Sequence, residues 1–326
     1  MIVLSQADVA ALLPMTEAIA VVARAMQTVS QGGATLPLRT IIDVGGENRM
    51  GMMPGAMADP ACYGIKLVSL FPGNPASGRS SHQGAMVLFD SEHGEAVAVM
   101  NAGLLTALRT AAASGVATQA LARPDARVLT IIGTGEQARH HLDAMLSVRP
   151  IDTVRVIGRR PEAARDFVAG ARAAYPAVAF EPGTEIRQGV AGADIVCTVT
   201  AAATPILCGD WVDAGTHLNV VGASVPSKRE IDVALVVRAA LFVDYRPSTF
   251  AQAGEIIAAI DSGCITPDHV RAEIGEVLSG TRPGRGGGDE ITLYRSLGIA
   301  AQDLACAMHC LDRAKARGIG IKASID

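Results

Sequence analysis

The stretch VLTIIGTGEQARHHLDAML, residues 128–146, decides the fold. Its first six residues, VLTIIG, are a nearly continuous apolar run ending in glycine, the pattern of a strand buried on both faces. From Gly135 onward the pattern is helical. Between them stands Gly133-Thr134-Gly135-Glu136-Gln137-Ala138, a GxGxxA turn. Such a motif alone is weak, but here it follows an apolar strand and opens a helix, which is the context dinucleotide binding requires. Gly133 permits the tight turn, Gly135 admits a pyrophosphate against the backbone, and the small Ala138 allows helix and strand to pack closely. The free N–H groups and positive dipole end of the helix then face the phosphates. An ordinary strand–helix turn is the alternative.

The same rhythm continues downstream. TVRVIG (153–158) reads as a strand and PEAARDFVAGARAA (161–174) as a helix, and DIVCTVT (194–200), THLNVVG (216–222) and ALFVD (240–244) as further apolar strands. This alternation predicts an α/β fold with a doubly wound parallel sheet. The second strand ends in Gly158-Arg159-Arg160, without an acid before Glu162. A carboxylate there would accept the ribose 2′-OH of NAD, whereas a guanidinium binds a 2′-phosphate through charge-assisted hydrogen bonds worth about 1.5–3 kcal/mol each. The expectation is NADPH preferred, NADH possible, with Arg159 and Arg160 as two exposed loop arginines in the alternative reading.

Upstream, residues 5–32 read as two helices, with Pro14 in the first turn of the second and Gly32-Gly33 ending it. From about 36 to 100, short β-like runs separated by turn residues predict an antiparallel or mixed sheet. Residues 101–122 form an Ala-rich helix-favouring stretch, GRGGG (284–288) a flexible loop, and 291–317 a helix with apolar spacing at Leu297, Ala301, Leu304, Ala305 and Met308. The last helix is expected to leave the dinucleotide domain and return to the N-terminal one. The expected domains are 1–118 completed by 303–326, for substrate and dimerisation, and 119–302 for the dinucleotide.

Composition bounds the partners. The chain has 326 residues, 49% hydrophobic and 18% charged, with net charge -4, which excludes a disordered chain and gives no sign of nucleic acid or an anionic membrane as partner. Uncharged runs fall short of a membrane span, and the N-terminus lacks the basic head of a signal peptide. The six cysteines are irregularly spaced without CxxC, so they are expected to remain reduced in the cytoplasm. Cys306 and Cys310, with His309 beside them, read as packed thiols rather than a metal site, which needs more ligands.

Three cations interrupt apolar segments. Lys66 lies in YGIKLVSLF, Arg109 in LLTALRTAAASG, and Arg39 opens a β-like run in LPLRTIIDV. A buried cation is costly unless it meets an anion. They point either to an anionic substrate beside the coenzyme or to three unrelated structural ion pairs. His82, whose ordinary titration range suits a proton donor, more simply bonds backbone in a loop.

Taken together, the segments LRT (38–40), MMPG (52–55), GIKLVS (64–69), SSHQG (80–84), ALRTAAASG (107–115), IIGTGEQA (131–138), CTVTAA (197–202), NVVGASVPSKREID (219–232) and ITLYRSLGIAAQDLA (291–305) resemble the ornithine cyclodeaminase/μ-crystallin family over nearly the whole length. The resemblance implies a homodimer whose subunits each carry a Rossmann domain and an α+β dimerisation/substrate domain. It implies that Arg39, Lys66 and Arg109 hold a substrate carboxylate, the arginines by forked hydrogen bonds. It places Ser81, Thr110, Thr200, Asn219, Val221 and Ser296 along the cofactor, beside Gly133, Gly135, Glu136, Gln137, Arg159 and Arg160. Cyclodeaminases carry a Glu before the Met-Pro and an Asp after the Val-Gly step; here Gly51 and Ser224 stand there. Cyclodeamination needs carboxylates to manage protons. The chain is instead similar to the μ-crystallin branch, ketimine reductases acting on small cyclic imine carboxylates with NADPH, with Lys66 and Arg109 as catalytic residues. An ornithine cyclodeaminase, an alanine-type amino-acid dehydrogenase and a non-catalytic crystallin-like ligand-binding protein are the other readings.

Overall fold

The computed structural model describes residues 1–324. The chain opens with β1 (Ile2–Leu4), α1 (Gln6–Leu12) and α2 (Met15–Ser30). It then runs through β2 (Ala34–Thr35), β3 (Thr40–Gly45), β4 (Asn48–Ala58), β5 (Ala61–Leu70), β6 (His82–Phe89) and β7 (Ala96–Asn101) into α3 (Ala102–Leu121). Next come β8 (Val128–Ile132), α4 (Glu136–Val148), β9 (Thr153–Ile157), α5 (Pro161–Ala174), β10 (Ala179–Gly183), α6 (Ile186–Val190), β11 (Ile195–Thr198) and β12 (His217–Val220). They are followed by α7 (Val233–Arg238), β13 (Ala240–Val243), α8 (Arg246–Gln252), α9 (Gly254–Asp261), β14 (Val270–Glu273), α10 (Ile274–Leu278) and β15 (Thr292–Arg295). Helix α11 (Ala300–Arg317) and β16 (Ile321–Lys322) close the chain.

These elements form two compact units, Met1–Ala113 with the chain from Gly298 onward, and Ser114–Leu297. The divisions thus fall at 113/114 and 297/298 instead of 118/119 and 302/303. The first lies inside α3, which local sequence cannot divide. The second is drawn by hydrogen bonds that tie Gly298, Gln302 and Asp303 to the first unit.

In the first unit the strand order is β16-β1-β7-β6-β5-β4-β2, with β3 also pairing β4. The pairs from β2 to β7 are antiparallel, while β1 runs parallel to β7, so the sheet is mixed. Helix α1 is set by a capping box: Ser5 Oγ accepts from the Asp8 amide and Asp8 accepts from the Ser5 amide. Pro14 is the N-cap of α2, and Gly32, with φ +79°, follows its end. One face of the sheet is covered by α11, which packs on β4, β5 and α2.

The second unit is an eight-stranded sheet of order β10-β9-β8-β11-β12-β15-β13-β14, parallel throughout. Every residue of β11, β12, β13 and β15 is buried, as a sheet covered on both faces demands. Val196, Val220, Leu218, Leu241 and Ile132 lie in one apolar cluster, each such side chain contributing about 1.5–3 kcal/mol on burial. Helix α3 ends where Arg149 donates to the carbonyls of Thr118, Gln119 and Ala122, satisfying its last turn.

One segment differs from its sequence reading. Residues 291–299 are not helical: Thr292–Arg295 is β15, inserted between β12 and β13. Its apolar run is short and wholly buried, and Gly298 at φ +74° stops a helix from crossing into α11.

Two histidines lie deep in the second unit. Burial pushes His141 down to about 4 and His217 down to about 3. His141 Nε2 contacts Ser114 Oγ at 3.0 Å and His217 Nδ1 contacts Thr292 Oγ1 at 2.9 Å. Both values lie below that of an unfolded histidine, so the unfolded chain takes up protons first as the pH falls. Stability should therefore fall from about pH 6.5 towards pH 4, by up to about 1.4 kcal/mol per pH unit for each histidine. Denaturant unfolding across that window should show a shallower slope in His217→Asn than in the wild type; an unchanged slope would remove His217 from the account.

Candidate active site

In the first unit, strand alternation places Lys66. Cys62, Gly64, Lys66 and Val68 are the buried residues of β5, and Tyr63, Ile65 and Leu67 are only half-buried. Gly64 sits opposite Gly55 of β4 in the antiparallel ladder. A Cβ on Gly55 would meet Ala300 Cβ at 3.1 Å and Leu304 Cδ1 at 3.2 Å, and one on Gly64 would strike the Val87 carbonyl of β6 and crowd Leu304 Cδ2 at 3.3 Å. The paired glycines form the hollow into which the first turns of α11 settle.

That seat brings Asp303 to Lys66. Lys66 Nζ donates to Asp303 Oδ1 at 3.0 Å and Oδ2 at 2.9 Å. Arg109, on α3, donates from Nε to the same Oδ1 at 2.9 Å and from Nη1 to Gln302 Oε1 at 2.8 Å. Arg39 donates from Nη2 to the carbonyl of Gly298 at 2.8 Å. Lys66 is 1% exposed, Arg109 5% and Asp303 0%. One short stretch, 298–303, therefore supplies acceptors to all three cations. Gly298 also gives Arg109 its space, since a Cβ there would stand 2.0 Å from Nη1.

Electrostatics follow from this burial. Removal from water, and then the Arg109 guanidinium, lower Lys66 to about 7, while the Asp303 carboxylate opposes the fall. Near neutral pH the neutral amine is therefore accessible as well as the ammonium. Arg109 already gives Nε to Asp303 and Nη1 to Gln302, so a forked grip on a ligand would fall to its other N–H groups. Donors on Nη2, and a further one on Nη1, remain for a ligand. Ser81 lies in the loop before β6, its Oγ 3.0 Å from His82 Nδ1, and the buried Thr110 donates to the Thr106 carbonyl at 2.6 Å. The His82 amide donates to Ser80 Oγ at 3.1 Å.

In the second unit, the carboxyl ends of β8, β11, β12 and β15, neighbours in the sheet, carry most of the expected coenzyme residues. Gly133 leaves β8 with φ +125°, where a Cβ would strike the Val199 carbonyl at 2.8 Å. Gly135 is the N-cap of α4, and open space lies where its Cβ would be. No side chain caps that helix. Among the described residues, buried Gln137 Oε1 and Ser296 Oγ have no hydrogen-bond partner. Chain order reverses across β8, with β9 on one side and β11 on the other, and open α/β sheets bind ligands at such a switch point. An open glycine, an uncapped helix end and two orphaned polar atoms there fit a dinucleotide.

The neighbouring loops are held by Glu230. It accepts from Thr198 Oγ1 at 2.9 Å, from the amide and hydroxyl of Thr200 at 2.7 Å each, and from the Gly222 amide at 2.6 Å. Burial raises its carboxyl, and these four hydrogen bonds oppose the rise. Val221 follows β12, its amide bonded to the Thr198 carbonyl at 3.0 Å. Asn219 is fully buried and gives Nδ2 to Thr118 Oγ1 at 2.9 Å, placing its amide against α3. Glu136 opens α4, and Arg159 and Arg160 are exposed after β9. Arg295 is buried against Glu255 and the carbonyls of Val220 and Ala223, so it is structural. Cys306 and Cys310 are buried free thiols on α11.

A profile of the ornithine cyclodeaminase/mu-crystallin family matches residues 1–318. The chain belongs to this family. It is 34% identical over 321 residues to the alanine dehydrogenase of Archaeoglobus fulgidus, covering 98% of this chain and 97% of that protein. It is 35% identical over 277 residues to ketimine reductase mu-crystallin of Mus musculus, covering 85% of this chain and 84% of the relative. The structure of Thermococcus litoralis Δ1-pyrroline-2-carboxylate reductase in complex with NADH and L-proline superposes with a TM-score of 0.95. That pair is 34% identical, and the match covers 99% of this chain and 100% of the other. Within the family frame, Gly51 is buried on β4, and a Cβ there would already meet Val68 Cγ1 at 3.3 Å. A longer acidic side chain at that position would require Val68 to move.

Sequence reasoning assigned no role to Gly298, Gln302 or Asp303. The available signal was the pair Gln302-Asp303 inside the apolar pattern of the last helix. Gly298→Ala should cost about 1–2 kcal/mol for its left-handed backbone, with a further loss from overlap with Arg109. In an Arg109→Ala background only the backbone part should remain, giving a coupling of about 1 kcal/mol or more in a double-mutant unfolding cycle. Additive losses would show that Gly298 does not make room for Arg109.

Proposed function

We propose that this protein reduces small cyclic ketimine carboxylates, Δ1-pyrroline-2-carboxylate to proline and Δ1-piperideine-2-carboxylate to pipecolate, with a reduced nicotinamide dinucleotide. The observation that carries this reading is the buried cluster of Lys66 and Arg109 on Asp303, with Arg39 anchored beside it on Gly298. Guanidinium and ammonium groups gathered in this way suit a carboxylate, through charge-assisted bonds about twice as strong as neutral ones. Lys66, poised near neutrality, suits the proton that must be held at the imine nitrogen while its carbon is reduced. When bound, the reduced nicotinamide supplies the hydride. The substrate gains that hydride and one proton, and the coenzyme leaves oxidised. Ketimine reductase mu-crystallin and Δ1-pyrroline-2-carboxylate reductase relatives support this choice of substrate.

In this reading the first unit binds substrate and the second the coenzyme. Exposed Arg159 and Arg160, after the second strand of the dinucleotide unit, favour NADPH over NADH. Leu38, Ile41, Ile42 and Val44 are exposed apolar side chains on and just before β3, and they support a homodimer paired through that surface. Among the described residues no single helix is long and apolar enough to cross a membrane. Four of the six cysteines are buried free thiols, which suit the cytoplasmic location that we propose. The alanine dehydrogenase relative makes oxidation of a linear amino acid the second reading, since the same cations would hold its carboxylate.

Three experiments test the proposal. Steady-state rates on both cyclic imines, and on alanine and ornithine, with NADPH and NADH should favour the cyclic imines; Lys66→Ala should lower imine reduction by about a hundredfold or more while coenzyme still binds. Rates unaffected by Lys66→Ala would sink the mechanism, and preferential alanine oxidation would replace the substrate. Arg159→Ala should raise KM for NADPH by about tenfold or more and leave KM for NADH nearly unchanged. Equal effects on the two coenzymes would refute the 2′-phosphate contact.

A further inference from the structure

We infer that Asp303 is the positioning residue of the reaction proposed above: its one carboxylate fixes Lys66 and Arg109 in the geometry that receives the substrate. The inference rests on that reading of the site. Its basis is the sharing of acceptors. Oδ1 takes both Lys66 Nζ and Arg109 Nε, and Oδ2 takes Lys66 Nζ again. Two buried cations thus meet a single buried carboxylate. A purely structural pair would be expected to balance its charge, because an uncompensated ion inside a protein is strongly destabilising. The next acceptor on Arg109 is the neutral Gln302 Oε1, which orients the guanidinium without cancelling its charge. While Lys66 is protonated the cluster therefore carries net positive charge, as an anion-binding site must.

Asp303 is also rigidly held. It lies in the first turn of α11, where a carboxylate is favoured by the helix dipole. The hollow made by Gly55 and Gly64 seats that turn. The groups facing Lys66 are Arg109 from α3, Arg39 from the segment before β3, and Asp303 from α11. Cys306, one turn on, lies beside Asp303 and Arg109, and burial keeps its thiol protonated. The in-register neighbours of Lys66, Met53 on β4 and Met86 on β6, do not titrate. Of these groups only Asp303 favours the ammonium, so its loss should lower the pH at which Lys66 gives up its proton.

The test compares Asp303→Asn and Asp303→Glu with the wild type. L-Proline binding is read by calorimetry, coenzyme binding by fluorescence, and kcat/KM for Δ1-pyrroline-2-carboxylate across pH. If net charge alone mattered, Asp303→Asn would tighten binding of an anion; positioning requires the opposite. The expected result is proline affinity and kcat/KM lowered by about tenfold or more, coenzyme affinity unchanged, and the alkaline limb moved to lower pH by about one unit. The substrate's own titration is common to both enzymes, so only a displacement between them counts. Asp303→Glu keeps the charge and shifts the oxygens, so its limb should stay in place while kcat/KM still falls; it decides the matter should Asp303→Asn fail to fold. Wild-type proline affinity and an unmoved limb in Asp303→Asn, or wild-type kcat/KM in Asp303→Glu, would overturn the inference. A wild-type protein that neither reduces the imine nor binds L-proline would instead overturn the proposed function itself.

Discussion

A single buried carboxylate holding two buried cations is the constraint on which the first unit is built. Taking Lys66, Arg109 and Asp303 out of water costs several kcal/mol for each ion, and only close, well-directed hydrogen bonds offset it. Those bonds need α11 to lie close against β4 and β5. Closeness in turn is helped by the facing glycines: a Cβ at 55 would crowd Ala300 and Leu304, and one at 64 would strike the Val87 carbonyl of β6 as well as crowd Leu304. Gly298 completes the set by turning the chain into α11, accepting from Arg39 and leaving space for Arg109. Three glycines thus serve one ion cluster.

The second unit also uses a buried carboxylate as an organiser, with different physics. Glu230 meets neutral donors, two hydroxyls and two amides. Among the described residues no cation bonds its carboxylate, and burial outweighs the four bonds, raising its carboxyl. Glu230 ties the ends of β11 and β12 together, where the sheet offers backbone to a ligand. Asp303 leaves a site with positive charge to spare, whereas Glu230 spends its oxygens on the neutral donors of the loops it ties. The contrast suits an anionic substrate in one case and a coenzyme bound largely through backbone and helix end in the other.

Charge placement also bears on reaction type within the family. Recognition of a carboxylate is common to imine reduction, amino-acid oxidation and cyclodeamination, so the cation cluster by itself does not separate them. Separation depends on which additional proton-handling groups the site can hold. Gly51 lies in a tight strand pairing against Val68, and the residue after the Val-Gly step is followed by Ser224. A chain furnished this way retains a titrating lysine and lacks the two extra carboxylates, which suits a single reduction better than oxidation, ring closure and ammonia loss.

Much of this was legible in the residues. The apolar run at 128–133 and the glycines after it determine the parallel sheet and its coenzyme edge, because strand burial and tight turns leave a local pattern. Lys66 and Arg109 announced themselves as charges in apolar runs. Their partner did not. Asp303 is 237 residues from Lys66 in the chain, and an acid in a helix has a bland local reading. Likewise β15 looked helical, because its place between β12 and β13 is set by pairing with strands far away in sequence. Sequence alone determined which residues carry charge and which segments must be buried. Tertiary structure alone decided which carboxylate neutralises which cation, since ion pairing and strand order depend on distances in space that no local pattern encodes.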